Sequence, residues 1–159
     1  MLSLIREDIR NNIRSGLSTV IFLANFRVGS CLQRKKKSIP ILWIPYVLCV
    51  IVSRCFSFFI GCSVPFAAKI GKGIVFQHGL YGIFISSMAE IGDGCTIFHH
   101  VTIGSNFGSK RRIGAPRLGD GVLVGAGAIL IGPITVGSNV SVAAGSIVYC
   151  DIAENSTYK

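Results

Sequence analysis

Residues 85–103 read ISSMAEIGDGCTIFHHVTI, with isoleucine at 85, 91, 97 and 103. A period of six cannot be an amphipathic helix, whose faces recur every 3.6 residues. It suits a β-solenoid in which each hexad supplies one short strand and one corner, the repeating aliphatic residue pointing inward onto its equivalents. The spacing extends in both directions, through Val64, Ile70 and Phe76 on one side and Leu118, Val124, Leu130, Val136, Val142 and Val148 on the other. That makes thirteen hexads with two insertions, three extra residues after Phe76 and nine after Ile103. Glycine follows the repeating residue at 71, 92, 104, 119, 125 and 137, and the fourth position after it is usually small or apolar, as at Ala68, Ala89, Cys95, Val101 and Ala128. No hexad can bury its apolar face alone, so stacking must supply the core.

The rest of the composition agrees. A chain of 159 residues, half of them apolar, with 19 Gly and only 5 Pro, is one domain's worth of foldable sequence and neither disordered nor collagen-like. The net charge of +9 is uneven: residues 1–59 hold nine Lys or Arg against two acids, and residues 60–159 seven against five. The six Cys form no CxxC pair, which leaves a zinc ribbon unsupported and reads as small reduced hydrophobes of a cytoplasmic protein. The apolar run at 19–24 is short and has no small-residue cleavage site after it, so no signal peptide is expected.

The first 59 residues read as helical. Ile5, Ile9 and Ile13 recur every four residues beside Arg6, Arg10 and Arg14. A second apolar stretch over 20–28 leads to Arg34-Lys35-Lys36-Lys37, and a third runs over 39–52, breaks at Ser53-Arg54 and resumes over 56–60. A membrane span needs roughly 20 apolar residues, and an arginine near the bilayer centre costs about 2.5–3.5 kcal/mol on insertion scales. The expectation for this stretch is a helix buried or packed against another subunit. An interfacial helix with the basic run on anionic lipid is second, and a true span third. Nucleic acid is not expected, because no aromatic interleaving or binding motif accompanies the charge. The division is thus an α-helical region over 1–59, for trimer packing or membrane-surface contact, and a β-helix over 60–159 with a loop at 105–117.

The hexads resemble the hexapeptide-repeat acyltransferase family over residues 60–159 almost continuously. Ala68-Lys69-Ile70-Gly71-Lys72-Gly73-Ile74, His78, Gly82-Ile83-Phe84-Ile85, Val101-Thr102-Ile103-Gly104 and Gly125-Ala126-Gly127-Ala128 resemble its serine O-acetyltransferase branch. The short apolar N-terminus is more similar to polysaccharide O-acetyltransferases of the colanic-acid type. The resemblance implies a left-handed parallel β-helix with three hexads per coil, an exception to the right-handed crossover rule. It also implies a homotrimer with active sites between subunits and acetyl-CoA as donor; no metal is expected.

With three hexads per coil, those beginning at 76, 97, 124 and 142 share one face if the nine-residue insertion loops out without skipping a side. Their third residues are His78, His99, Ala126 and Ala144, stacked at a strand spacing of roughly 4.8 Å. Two imidazoles at one end and small residues beyond suit the thin pantetheine arm of a thioester donor. Direct acyl transfer needs a base for the attacking hydroxyl, and neutral imidazole serves near pH 7. His78 matches the family's catalytic histidine; the alternative is a corner histidine bonded to backbone. His99 would orient His78 or bind the acceptor, or else be structural, as His100 is expected to be. Three histidines also resemble the metal site of γ-class carbonic anhydrases, but adjacent His99 and His100 do not easily meet one ion. Gly104, Ala126 and Ala144 match coenzyme-contacting positions of the serine branch, with backbone N–H groups near Gly104 as candidate oxyanion donors. Arg117, with Lys110, Arg111 and Arg112 of the loop, is a candidate for coenzyme phosphates or an anionic sugar.

Three positions depart from the serine branch. Ser63 and Gln77 stand where it has aspartates, and Ala115 where it has a loop histidine, residues that orient the base and hold the ammonium and carboxylate of serine. Losing a charge-assisted pair costs about 1.5–3 kcal/mol. The expectation is therefore an acetyl-CoA-dependent O-acetyltransferase acting on a sugar or polysaccharide-precursor hydroxyl in bacterial surface polysaccharide assembly. Serine O-acetylation in cysteine biosynthesis and a non-catalytic scaffold are the alternatives.

Overall fold

The computed structural model describes residues 2–36, 38–106 and 113–159. Helices α1 (Leu2–Asn12), α2 (Leu17–Lys35) and α3 (Trp43–Ile60) precede a left-handed parallel β-helix with three faces. The first face carries β1 (Lys69–Ile70), β4 (Glu90–Ile91), β7 (Arg117–Leu118) and β10 (Thr135–Val136). The second carries β2 (Val75–Phe76), β5 (Thr96–Ile97), β8 (Leu123–Val124), β11 (Ser141–Val142) and β13 (Thr157–Tyr158). The third carries β3 (Phe84–Ile85), β6 (Thr102–Gly104), β9 (Ile129–Ile131) and β12 (Ile147–Val148).

Register follows the hexads. Phe76 pairs with Ile97, Ile97 with Val124 and Val124 with Val142, and Ile85, Ile103, Leu130 and Val148 stack in the same way. These side chains and the small residues between them form the interior of the prism, all close to fully buried. Burial also pushes the Cys62 and Cys95 thiols up from their ordinary range, as fits small hydrophobes in a core. The nine-residue insertion leaves the corner between the third and first faces. Asn106 and Gly114 close its base, with Asn106 N donating to Gly114 O (3.2 Å) and Gly114 N to Asn106 Oδ1 (3.0 Å). Lys110, Arg111 and Arg112 lie outside the described residues.

Two features escape the hexad count. The coil continues past Val148: Ile152 bridges to Val136 on the first face and β13 adds to the second, after a corner two residues short. In addition, α3 is continuous through Ser53-Arg54. Ser53 faces inward, where its Oγ accepts from Asn25 Nδ2 of α2 (2.9 Å), so the polar interruption meets a polar partner instead of ending the helix. The outer side of α3 is not buried within the chain.

The helices close the open end of the solenoid through polar contacts. The first coil is an edge whose backbone groups lack a preceding strand. Asn12 Nδ2 donates to Ile74 O (2.6 Å) and its Oδ1 accepts from Phe76 N (2.8 Å), while Asp8 Oδ1 accepts from Gly73 N (3.0 Å). Arg27 pairs with Asp8 (2.7 Å) and donates to the carbonyls of Ile70 and Gly71. Asp8 and Asn12 are thus the buried residues of α1, while Ile13, just beyond it, is exposed.

Candidate active site

The corners after β2, β5, β8 and β11 stack along the edge between the second and third faces. This places His99, Ala126 and Ala144 at equivalent positions of consecutive coils, while the longer corner of the first coil sets Tyr81 over His99 in the backbone (His100 N donates to Tyr81 O, 2.8 Å) and carries His78 beside it. Backbone bonds hold the stack: Gly127 N donates to His99 O (3.0 Å) and Gly145 N to Ala126 O (2.9 Å). The coils approach so closely that a Cβ on Gly125 would lie 2.5 Å from Ala144 N, so only glycine fits there.

His78 has a left-handed backbone (φ 67°), uncommon for a residue with a Cβ. The corner turns its imidazole outward to solvent, where it meets the edges of Phe98 and His99, each at 5.8 Å between ring centres. Among the described residues no side chain hydrogen-bonds the His78 ring. His99 is half-buried beneath it, and its Nδ1 is buried without a partner among the described residues. A buried polar atom left unpaired is costly, so at this edge water, a ligand or a neighbouring chain has to meet it. His100 packs 5.4 Å from His99, also at positive φ (57°). A Cβ on Gly82 would overlap its Nδ1 at 2.1 Å. No set of three metal-ligating side chains occurs among the described residues.

The structure thus brings together four of the six residues singled out from sequence. Gly104 ends β6 on the third face, paired with Ile131, and Arg117 opens β7 on the first face, its Nε 3.9 Å from Glu90. Neither joins the histidine column. Of the acceptor positions, Gln77 is exposed beside His78, Ser63 bridges to Phe84, and Ala115 is buried. Phe98 was not foreseen: it follows the hexad residue Ile97, and its contact with His78 depends on the corner geometry. Two clefts of the single chain, of about 240 and 1220 Å³, lie beside the helices and the first face, and neither includes a histidine. The histidine edge is open surface in one chain.

No protein-family model matches the chain. It is 40% identical over 114 residues to the serine acetyltransferase of Helicobacter pylori, covering 70% of this chain and 64% of that one. It is 36% identical over 126 residues to the serine acetyltransferase of Staphylococcus xylosus, covering 79% of this chain and 54% of the other. The soybean serine acetyltransferase apoenzyme superposes with a TM-score of 0.79 at 29% identity, over 98% of this chain and 65% of that one. The chain therefore spans less than two thirds of the length of these relatives.

These likenesses overturn the expected sugar acceptor and the place in surface polysaccharide assembly, since the similar proteins are named for serine. That expectation weighed three side chains, at 63, 77 and 115, above the likeness of the coils that carry them. The hexads, the coil geometry and these similarities relate the chain to the hexapeptide-repeat acyltransferases, and among them to the serine acetyltransferases.

Proposed function

We propose that this chain is an acetyl-CoA-dependent O-acetyltransferase whose acceptor is the hydroxyl of serine. The observation that carries the reading is an outward imidazole, His78, at the head of a column of small corners, in a chain 40% identical to a serine acetyltransferase. The neutral His78 ring accepts the hydroxyl proton as the serine oxygen attacks the thioester carbonyl. The C–S bond of the resulting tetrahedral adduct then breaks, and the coenzyme leaves as a thiol after taking the proton back from the imidazolium. His99 supports the His78 ring from beneath, and Ala126 and Ala144 leave room for the pantetheine arm. The open edge is completed by another copy of the chain in a homotrimer, which also offers Gly104 and Arg117 a way to reach the coenzyme from a neighbouring protomer.

Thiol release from acetyl-CoA in the presence of L-serine tests this. The expected result is turnover that falls by about 10²–10⁴ in His78→Ala with the unfolding transition unchanged. Absence of serine-dependent thiol release from the folded wild-type protein would overturn the reading.

A further inference from the structure

Helix α3 has two unlike sides. The side toward the protein is mixed: Ser53 meets Asn25, Asn25 also donates to the carbonyl of Cys49 (3.1 Å), and Phe56 and Ile60 pack against the core. The other side is apolar, with Ile44 75%, Leu48 62%, Ile51 54% and Phe58 83% exposed. With Ile41 just before the helix and the exposed Cys55 between Ile51 and Phe58, they recur at spacings of three and four along one stripe. Apolar patches of this kind on a soluble protein mark an interaction surface.

Charge decides what covers it. No carboxylate occurs between Asp8 and Glu90, whereas Arg34, Lys35 and Lys36 end α2 or directly follow it, and Arg54 flanks the stripe. Lys36 Nζ sits 4.2 Å from the Trp43 ring centre and 3.6 Å from that of Tyr46, so cation and aromatic rings cluster where α3 begins. A second copy pairing through the same stripe would bring like charges together. An anionic bilayer surface offers acyl chains to the stripe, headgroups to the cations, and an interface in which tryptophan and tyrosine are favoured.

We infer that α3 docks the protein on the surface of an anionic phospholipid membrane. The helix lies in the interfacial plane: one side stays bonded to α2, the other enters the headgroup boundary, and Arg54 at the stripe's flank extends toward water.

Flotation of the full chain with phosphatidylcholine vesicles, with and without 30% phosphatidylglycerol, tests the inference, with light scattering of the free protein alongside. The expected result is binding to the anionic vesicles at low salt. It should weaken at least tenfold on phosphatidylcholine alone or at high salt, because exposed charges are screened over about 10 Å at 0.1 M. The double variant Ile44→Asp/Leu48→Asp should lose binding and keep its unfolding midpoint, because both side chains are exposed. No flotation of the wild type, or equal flotation of the variant, overturns the inference. So does a fall in oligomer mass in the variant with vesicle binding unchanged, which would mean that another copy covers the stripe.

Discussion

At the scale of single residues, the chemistry rests on one corner. His78 is held by its backbone conformation and by two aromatic edges rather than by a carboxylate. Gln77, exposed beside it, carries a neutral carbonyl where a carboxylate would bind the ammonium of serine more strongly. Charge-assisted hydrogen bonds are roughly twice as strong as neutral ones. Gln77→Asp should therefore lower the KM for L-serine about 5-fold, as about 1 kcal/mol of added binding implies, with a smaller change in kcat. Initial-rate kinetics against serine check this, and a KM that stays constant or rises would place the ammonium away from residue 77. The nearness of His78 and His99 was legible in the sequence because their hexads share a face, but the placing of Tyr81 over His99 in the backbone by the three-residue insertion was not. The contact of Phe98 was not, because a side chain's reach around a corner has no period.

At the scale of elements, the solenoid was legible and its closure was not. Each hexad announces itself locally, by an aliphatic residue and a following glycine, and strand pairing then fixes the faces. The end cap depends on polar residues of α1 and α2 meeting backbone groups 62 to 65 residues away in Asn12 and Asp8 and 43 to 44 residues away in Arg27, a match no local pattern carries. Arginine spacing makes α1 look like a basic amphipathic helix, whereas its docking residues are Asp8 and Asn12. Asp8 and Arg27 form a buried ion pair, 1% and 8% exposed. Removing one partner of such a pair costs about 3–5 kcal/mol, because the remaining charge stays buried. Asp8→Asn should thus lower Tm by roughly 6–20 °C, at about 2–4 °C per kcal/mol for a chain of this size. Circular dichroism melting reads the shift, and a change under 2 °C would mean that the cap does not hold the first coil.

At the scale of the whole molecule, the three outer faces differ in what they offer a neighbour. The outward column of the first face runs Lys69, Glu90, Arg117, Thr135 in register, with Lys69 Nζ 2.7 Å from Glu90 Oε1. That hydrogen bond, with the charges of Lys69 and Arg117, holds the Glu90 carboxyl below its usual range despite some desolvation, but such exposed pairs contribute only about 0–1 kcal/mol. This face is suited to water. The third face carries Phe84, Thr102, Ile129 and Ile147 in the same outward register, with Phe84 50% and Ile147 57% exposed. It adjoins the histidine edge, so a copy packed on it would wall the open site and approach the unpaired Nδ1 of His99. Light scattering should accordingly give a mass three times the 17.0 kDa of one chain. Ile147→Asp/Phe84→Asp should reduce it to a single chain and abolish serine-dependent thiol release with His78 intact, because a base without its wall cannot hold a thioester against it. A wild-type protein that is monomeric and active would show that the edge works alone, and a variant that stays trimeric would move the contact to another face.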